Sequence, residues 1–310
     1  MEIVEYGGWK RNVRLANEKI ELVATLEVGP RIIRLAPTGG KNLFMNYRDH
    51  LGGHGEKTWR NRGGHRLWVA PEDPVATYFA DNGPVAMKKI RGGVRLVSKP
   101  EKVNGIQKTL DVLLDPKEPR VRVVHRIRNI GRKTLRLAPW ALSVMAPGGV
   151  AVVSLAPRGK HPHHLLPNQR IVLWPYTDLS DPRLEAGWAS ILLAQKPRTK
   201  PIKLGLSNPT GWAAYAVHGC LFVKRFPFDP KAEYPDLGCN TELYTDSDML
   251  EVESLGALVS LKPGATVKHV ENWYVLAGVR APKSSAEVEK RIRPLVERTI
   301  RETAHRSERR

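Results

Sequence analysis

Cysteine is nearly missing from this chain of 310 residues; Cys220 and Cys239 are the two it has. That excludes a disulfide framework, and the absence of any Cys-x-x-Cys pair excludes the common zinc motifs. No run of about 18 apolar residues occurs, which excludes a helix crossing a membrane. The opening MEIVEYGGWK lacks the charged-then-apolar pattern of a secretion signal, so a reducing cytoplasm is the expected compartment. Acidic residues are scarce beside basic ones, 31 against 50, for a net charge of +19. Such a balance invites a nucleic-acid partner. The charge is dispersed, however, with no helix-turn-helix spacing, zinc finger or aromatic-plus-basic RNA signature. Nucleic-acid binding is therefore disfavoured, because a generally basic surface or an anionic small substrate accounts for the charge as well.

What is present reads as many short strands. Hydrophobic residues make up 41% of the chain, enough for a sizeable core. In VRVVHRIRNIG (121–131), Val121, Val123, His125 and Ile127 share one face and the arginines the other, the alternation of a half-buried strand. His125 lies on the apolar side and reads as a core histidine. IQKTLDVLLD (106–115) alternates likewise, and MLEVESL (249–255) and TVKHVENWYVL (266–276) read as two strands joined across LKPGA. Helix is expected mainly at the C-terminus, where Ser284 and Glu287 form a capping box and Val288, Ile292, Leu295, Val296 and Ile300 make an apolar stripe interrupted by Pro294. The expectation is an all-β domain over residues 1–280 with a helical tail over 281–310. Oligomeric state is not legible.

The longest polar interval, residues 156–183, holds five prolines and three histidines. His161, His163 and His164 lack a fourth ligand for structural zinc. No metal and no cofactor are expected, and the segment reads as a proline-stiffened surface loop, of a length compatible with lying across a cleft mouth. KTWRNRGGHRLWVAPE (57–72) raises a sharper question. Adjacent glycines are kept where the backbone turns tightly or passes close to a neighbouring strand or a ligand. On the second view Gly63 and Gly64 present Arg62 and His65 at a pocket rim, with Arg66 and Glu72 nearby.

Glu251 and Glu253 fall two apart in a strand, so both point to one side with α-carbons roughly 6.5–7 Å apart. Facing water they are an ordinary acidic strand. Facing a sheet cavity, the pair splits its proton affinities, one carboxylate serving as base while the other holds a proton. Asn240 and Glu242 add polar groups just upstream.

These runs resemble the galactose mutarotase-like superfamily over residues 10–278. GGHRLWVAPE resembles its glycine-glycine strand, and Arg62, Gly63 and Gly64 match the Arg-Gly-Gly of the hexose-6-phosphate 1-epimerases. HRIRNIGRKTLRLAPWALSVM resembles the central strand pair. MLEVESLGALVSLKPGATVKHVENWYVL resembles the C-terminal signature, with Glu251 on the catalytic glutamate. The Gly-Cys-Asn-x-Glu-Leu-Tyr and Leu-Glu-x-Glu-x-Leu-Gly runs are similar to those of one bacterial branch. The resemblance implies a β-supersandwich and an aldose 1-epimerase-like isomerase acting on a cyclic sugar or sugar phosphate. Glu251 or Glu253 would take the proton of the anomeric hydroxyl, and a histidine would protonate the ring oxygen. APWALSVM has no histidine where the family places its acid, and ATYFADNGPVAM lacks the second family histidine. His65, or a histidine of the 161–164 loop, is the candidate replacement. Arg62, Arg66, Glu72, Trp140, Lys203, Asn240 and Glu242 are the expected sugar-binding residues, with Arg62 and Arg66 or Lys203 holding any phosphate. The alternative is a sugar-binding protein without turnover in which Trp140 is a stacking platform.

Overall fold

A computed structural model describes residues 1–307. Among them the strands form one 11-stranded and one 10-stranded sheet, antiparallel throughout. The larger sheet runs in the order Glu2–Tyr6, Trp9–Ala16, Ile20–Thr25, Arg31–Pro37, Gly64–Ala70, Leu135–Met145, Leu250–Leu255, Thr241–Thr245, Ile202–Leu206 and Ile171–Leu173. The Arg120–Asn129 and Thr266–Ala277 strands pair at the middle of the second sheet. Alternation explains the layering. Val121, Val123, His125 and Ile127 are all wholly buried between the sheets, as their spacing predicts. The facing row from the larger sheet includes Leu67, Met145, Leu250, Val252 and Leu204. This is an all-β sandwich closed by a C-terminal helix.

The turn across LKPGA is less direct than the sequence implies. A short strand, Val259–Leu261, intervenes and pairs with Leu135, Arg136 and Leu137 at the start of the long central strand. At the C-terminus the Ser284 hydroxyl accepts from the Glu287 N–H at 3.3 Å, the expected cap. Ser285–Glu287 is followed by a wide π-type turn over Val288–Ile292 and then by the Arg293–Ser307 helix. Pro294 has no N–H to give the preceding turn, which accounts for the break beside it. Val288, Ile292 and Val296 bury their side chains against Trp212, Leu221 and Tyr274 on the outer face of the second sheet. None of the described helices is long and apolar enough to cross a membrane.

Candidate functional site

The outer face of the larger sheet carries the chemistry. Leu142 sits between Arg66 and Glu253, Val144 sits beside Glu251, and Glu242 and Tyr244 oppose Glu253 and Glu251 on the next strand. Strand alternation therefore sends Arg66, Trp68, Trp140, Tyr244, Glu251, Glu253, Glu242 and Lys203 to one face. Arg66, Trp68, Trp140, Tyr244, Glu251 and Lys203 line a cleft of about 580 Å³, completed from loops by Trp59, Glu72, Tyr78 and Tyr176, while Glu242 and Glu253 lie buried beneath it.

Arg66 and Glu251 are two of the six charged side chains that line this cleft, the others being Glu72, Lys200, Lys203 and Asp246. Arg66 Nη1 is 2.9 Å from Glu251 Oε1, and the guanidinium is stacked over Trp68 at 4.1 Å. The contact is coulombic and poorly aligned, so Arg66 Nη1 and Nε and Glu251 Oε1 have no hydrogen-bond partner within the protein. Trp59, Trp68, Tyr78 and Trp140 form a continuous edge-to-face wall with ring centroids 5.0–5.6 Å apart. Buried polar atoms left unpaired beside an aromatic wall are what a ligand of many hydroxyls would satisfy.

A deeper layer sits beneath. Lys203 Nζ lies 2.8 Å from Glu242 and 3.6 Å from Glu253, between the rings of Trp140 and Trp174 at 4.6 and 4.5 Å. Trp140 Nε1 donates to Glu253 at 2.7 Å. Burial alone would lower the Lys203 ammonium, but Glu253 and Glu242 hold it above its ordinary value. Burial also raises Glu242 well above the usual carboxylate range and raises Glu253, and Lys203 only partly opposes it. One ammonium cannot hold two buried carboxylates, so the pair keeps a proton. A group whose folded value is raised contributes stability that is full below its unfolded value and is lost as pH rises through the folded one. Glu242→Gln mimics the protonated form. In denaturant titrations between pH 5 and pH 8, the variant is expected to lose less stability with rising pH than the wild type; equal slopes would contradict the shared proton.

Several expected site residues lie elsewhere. His65 follows the same alternation and points the opposite way from Arg66, into the space between the sheets, where it is wholly buried. It cannot meet a ligand in this cleft, and the expectation that it stands on the rim is corrected on that ground. Arg62 is buried too; it binds the Glu56 carboxylate at 2.6 and 2.7 Å, Asn82 at 2.6 Å and the Gly53 carbonyl, and so braces the 53–62 loop. Asn240 exchanges hydrogen bonds with the Asn208 backbone at 2.7 and 2.9 Å and secures a turn, away from the cleft. His161, His163 and His164 are exposed, and none lines the cleft. Gly63 and Gly64 have φ of 78° and 72°. A Cβ on Gly63 would stand 1.9 Å from the Met45 carbonyl oxygen, and one on Gly64 2.4 Å from that of Ile32. The close approach is to neighbouring backbone, the simpler of the two readings of the pair.

His65 belongs to a buried network behind the cleft. Its Nε2 is 2.7 Å from His125 Nε2 and its Nδ1 is 2.9 Å from the Ser143 hydroxyl. His125 Nδ1 faces the His269 carbonyl at 3.0 Å, so it must carry the proton. His125 Nε2 then accepts from His65 Nε2–H, and His65 Nδ1 accepts from Ser143. Lys224 Nζ lies 3.1 Å from Glu271 and donates to the Ala141 and Val252 carbonyls. Burial lowers His65 and His125 and takes His269 down to about 3, so the three stay neutral. Ligand atoms of His65, His125 and Glu271 all fall within 4.8 Å of one another. The proton assignment uses each of these ring nitrogens, and Lys224 already supplies the positive charge, so the cluster fits a hydrogen-bond network better than a metal centre.

Trp68 and Tyr244 are legible from strand alternation, since each lies two residues from Arg66 or Glu242 on the same strand. Trp59, Tyr78 and Tyr176 come from loops whose course no periodicity reveals.

No family model matches the chain, and no curated protein does. Solved structures do. The Slr1438 protein from Synechocystis sp. PCC 6803 superposes with a TM-score of 0.58 at 11% identity, over 89% of this chain and 100% of that one. A galactose mutarotase-like protein from Lactobacillus casei gives 0.52 at 12%, over 85% and 99%. This chain has the galactose mutarotase-like fold. A putative mutarotase, YeaD, from Salmonella typhimurium agrees, at 0.54 and 11% over 86% and 90%. At such identities the galactose mutarotase-like likeness speaks for the fold, and function rests on the cleft.

Proposed function

We propose that the cleft binds a carbohydrate and that Glu251 accepts the proton of its anomeric hydroxyl, giving aldose 1-epimerase-like chemistry. The observation that carries this reading is the Glu251–Arg66 pair, buried beside an aromatic wall with polar atoms unsatisfied by the protein. The aromatic faces suit the C–H faces of a sugar ring, and the carboxylate oxygens accept hydroxyl protons. Proton return to the ring oxygen falls to a group that keeps its proton at neutral pH. Lys203 and Tyr244 line the cleft, and both are shifted upward, Lys203 by its carboxylates and Tyr244 chiefly by burial. Glu253 and Glu242 hold Lys203 in place.

A free sugar is favoured over a phosphorylated one. Arg62 lies away from the cleft, Arg66 and Lys203 each face a carboxylate, and the remaining lining cation, Lys200, is outnumbered by Glu72 and Asp246. The second reading, binding without turnover, is favoured by one observation: none of the cleft-lining residues is a histidine. Calorimetric titration with free aldoses and their 6-phosphates tests the site. The free sugar is expected to bind more tightly, and Trp68→Ala to weaken it about tenfold through loss of stacking. Tighter binding of the phosphate would overturn the preference for a free sugar and point to Lys200 or Arg66 as its contact.

A further inference from the structure

A second surface lies outside the cleft, in the segment that precedes its Tyr176 wall. Residues 156–177 contain no acidic residue, but hold Arg158, Lys160, Arg170 and three histidines. The base of this segment is fastened: Ala156 N–H donates to Gln169 Oε1 at 2.6 Å, and Asn168 Nδ2 donates to the Pro157 carbonyl at 2.7 Å. The loop between is folded on itself, with His164 N–H donating to the Lys160 carbonyl at 2.9 Å. Its tip then presents Leu165 and Leu166, 72% and 87% exposed, the latter the most exposed large apolar side chain among the described residues. A neighbouring turn adds Trp188, 72% exposed. Arg158 joins the two, donating to the Trp188 carbonyl and stacking over its ring at 4.5 Å.

An exposed apolar tip with Arg158 and Lys160 in the same loop is suited to a soft anionic surface. Apolar side chains enter the acyl boundary while basic ones meet headgroup phosphates, and a tryptophan suits the interface between them. A protein partner would instead need a hollow matching the protrusion. We infer that the tip formed by Leu165, Leu166 and Trp188, with Arg158 and Lys160, docks this protein peripherally on membranes rich in anionic lipid. No spanning segment is involved. The inference is independent of what the cleft binds.

Co-sedimentation with vesicles tests it, using purified full-length protein and either phosphatidylcholine alone or phosphatidylcholine with about a third phosphatidylglycerol, a content at which a juxtamembrane basic cluster is attracted. Binding to the anionic vesicles is expected, at least tenfold tighter than to the neutral ones. Leu165→Asp with Leu166→Asp should weaken it about tenfold or more, while circular dichroism and melting stay as in the wild type, since both side chains are already in water. Arg158→Ala with Lys160→Ala should weaken it several-fold and flatten its salt dependence. Three results overturn the inference: no binding to anionic vesicles at low salt; binding that the leucine variant leaves unchanged, which assigns it to the overall positive charge; or concentration-dependent self-association by light scattering that the leucine variant abolishes, which assigns the tip to a second copy of the chain.

Discussion

Replacing Glu251 by Gln is expected to slow catalysed anomer exchange by about 10²–10⁴-fold, the range that loss of one general base produces, while sugar affinity changes by less than about tenfold. The amide keeps the shape and still accepts one hydrogen bond from a hydroxyl, but it cannot take the proton. Arg66 Nη1 lies 2.9 Å from the Glu251 carboxylate and positions it at the cleft. The check is NMR exchange spectroscopy between α and β anomers, with calorimetry on the same samples. Equal exchange rates for variant and wild type would move the base elsewhere on the sheet, to Glu253 first. No acceleration by the wild type, with binding intact, would favour the second reading, a sugar-binding protein of this fold.

The second large effect concerns the fold. Gly64→Val is expected to destabilise the protein by about 3–5 kcal/mol, combining a strained backbone with a steric clash. Gly64 sits at φ 72°, and its missing Cβ would meet the Ile32 carbonyl oxygen at 2.4 Å, on the adjacent strand. That strand is held by the Arg31–Arg66 and Ile32–His65 pairings, so relief of the clash pulls Arg66 out of register. In denaturant titration the midpoint should fall steeply, and sugar binding should be lost in proportion to unfolding. A variant that is as stable as the wild type but does not bind would mean that the glycine faces a ligand after all.

Much of this architecture is legible in the sequence, and the reason is periodicity. The strands at 106–115 and 121–131 keep one largely apolar face between the sheets, and 249–255 keeps Leu250 and Val252 there although both of its faces are buried. The same rule that pairs Glu251 with Glu253 also separates His65 from Arg66: adjacent residues in a strand face opposite ways. His65 is buried because an apolar-looking interior can hold histidines when each ring nitrogen has a partner, here Ser143 and His125. Composition does not announce such a network. Arg62 departs from the alternation for another reason. A residue beside a glycine pair leaves the strand's alternation, and its direction depends on loop partners, Glu56 and Asn82. Tyr78 and Tyr176 reach the cleft from irregular segments, where only the folded chain fixes direction. Lys203 and Glu242 illustrate the converse: they lie on adjacent strands whose register puts Lys203 opposite Tyr244, and the lysine reaches diagonally to Glu242 at 2.8 Å.

Saturation-transfer NMR of the wild-type protein with a panel of free aldoses, repeated on Trp68→Ala, tests the central claim most directly, because it reports contact between sugar protons and the protein whether or not a reaction follows. The account predicts transfer to the ring C–H protons of at least one aldose and its marked loss in the variant, whose missing ring removes the middle of the aromatic wall. Undiminished transfer in Trp68→Ala, or no transfer from any sugar to the folded wild type, would contradict it.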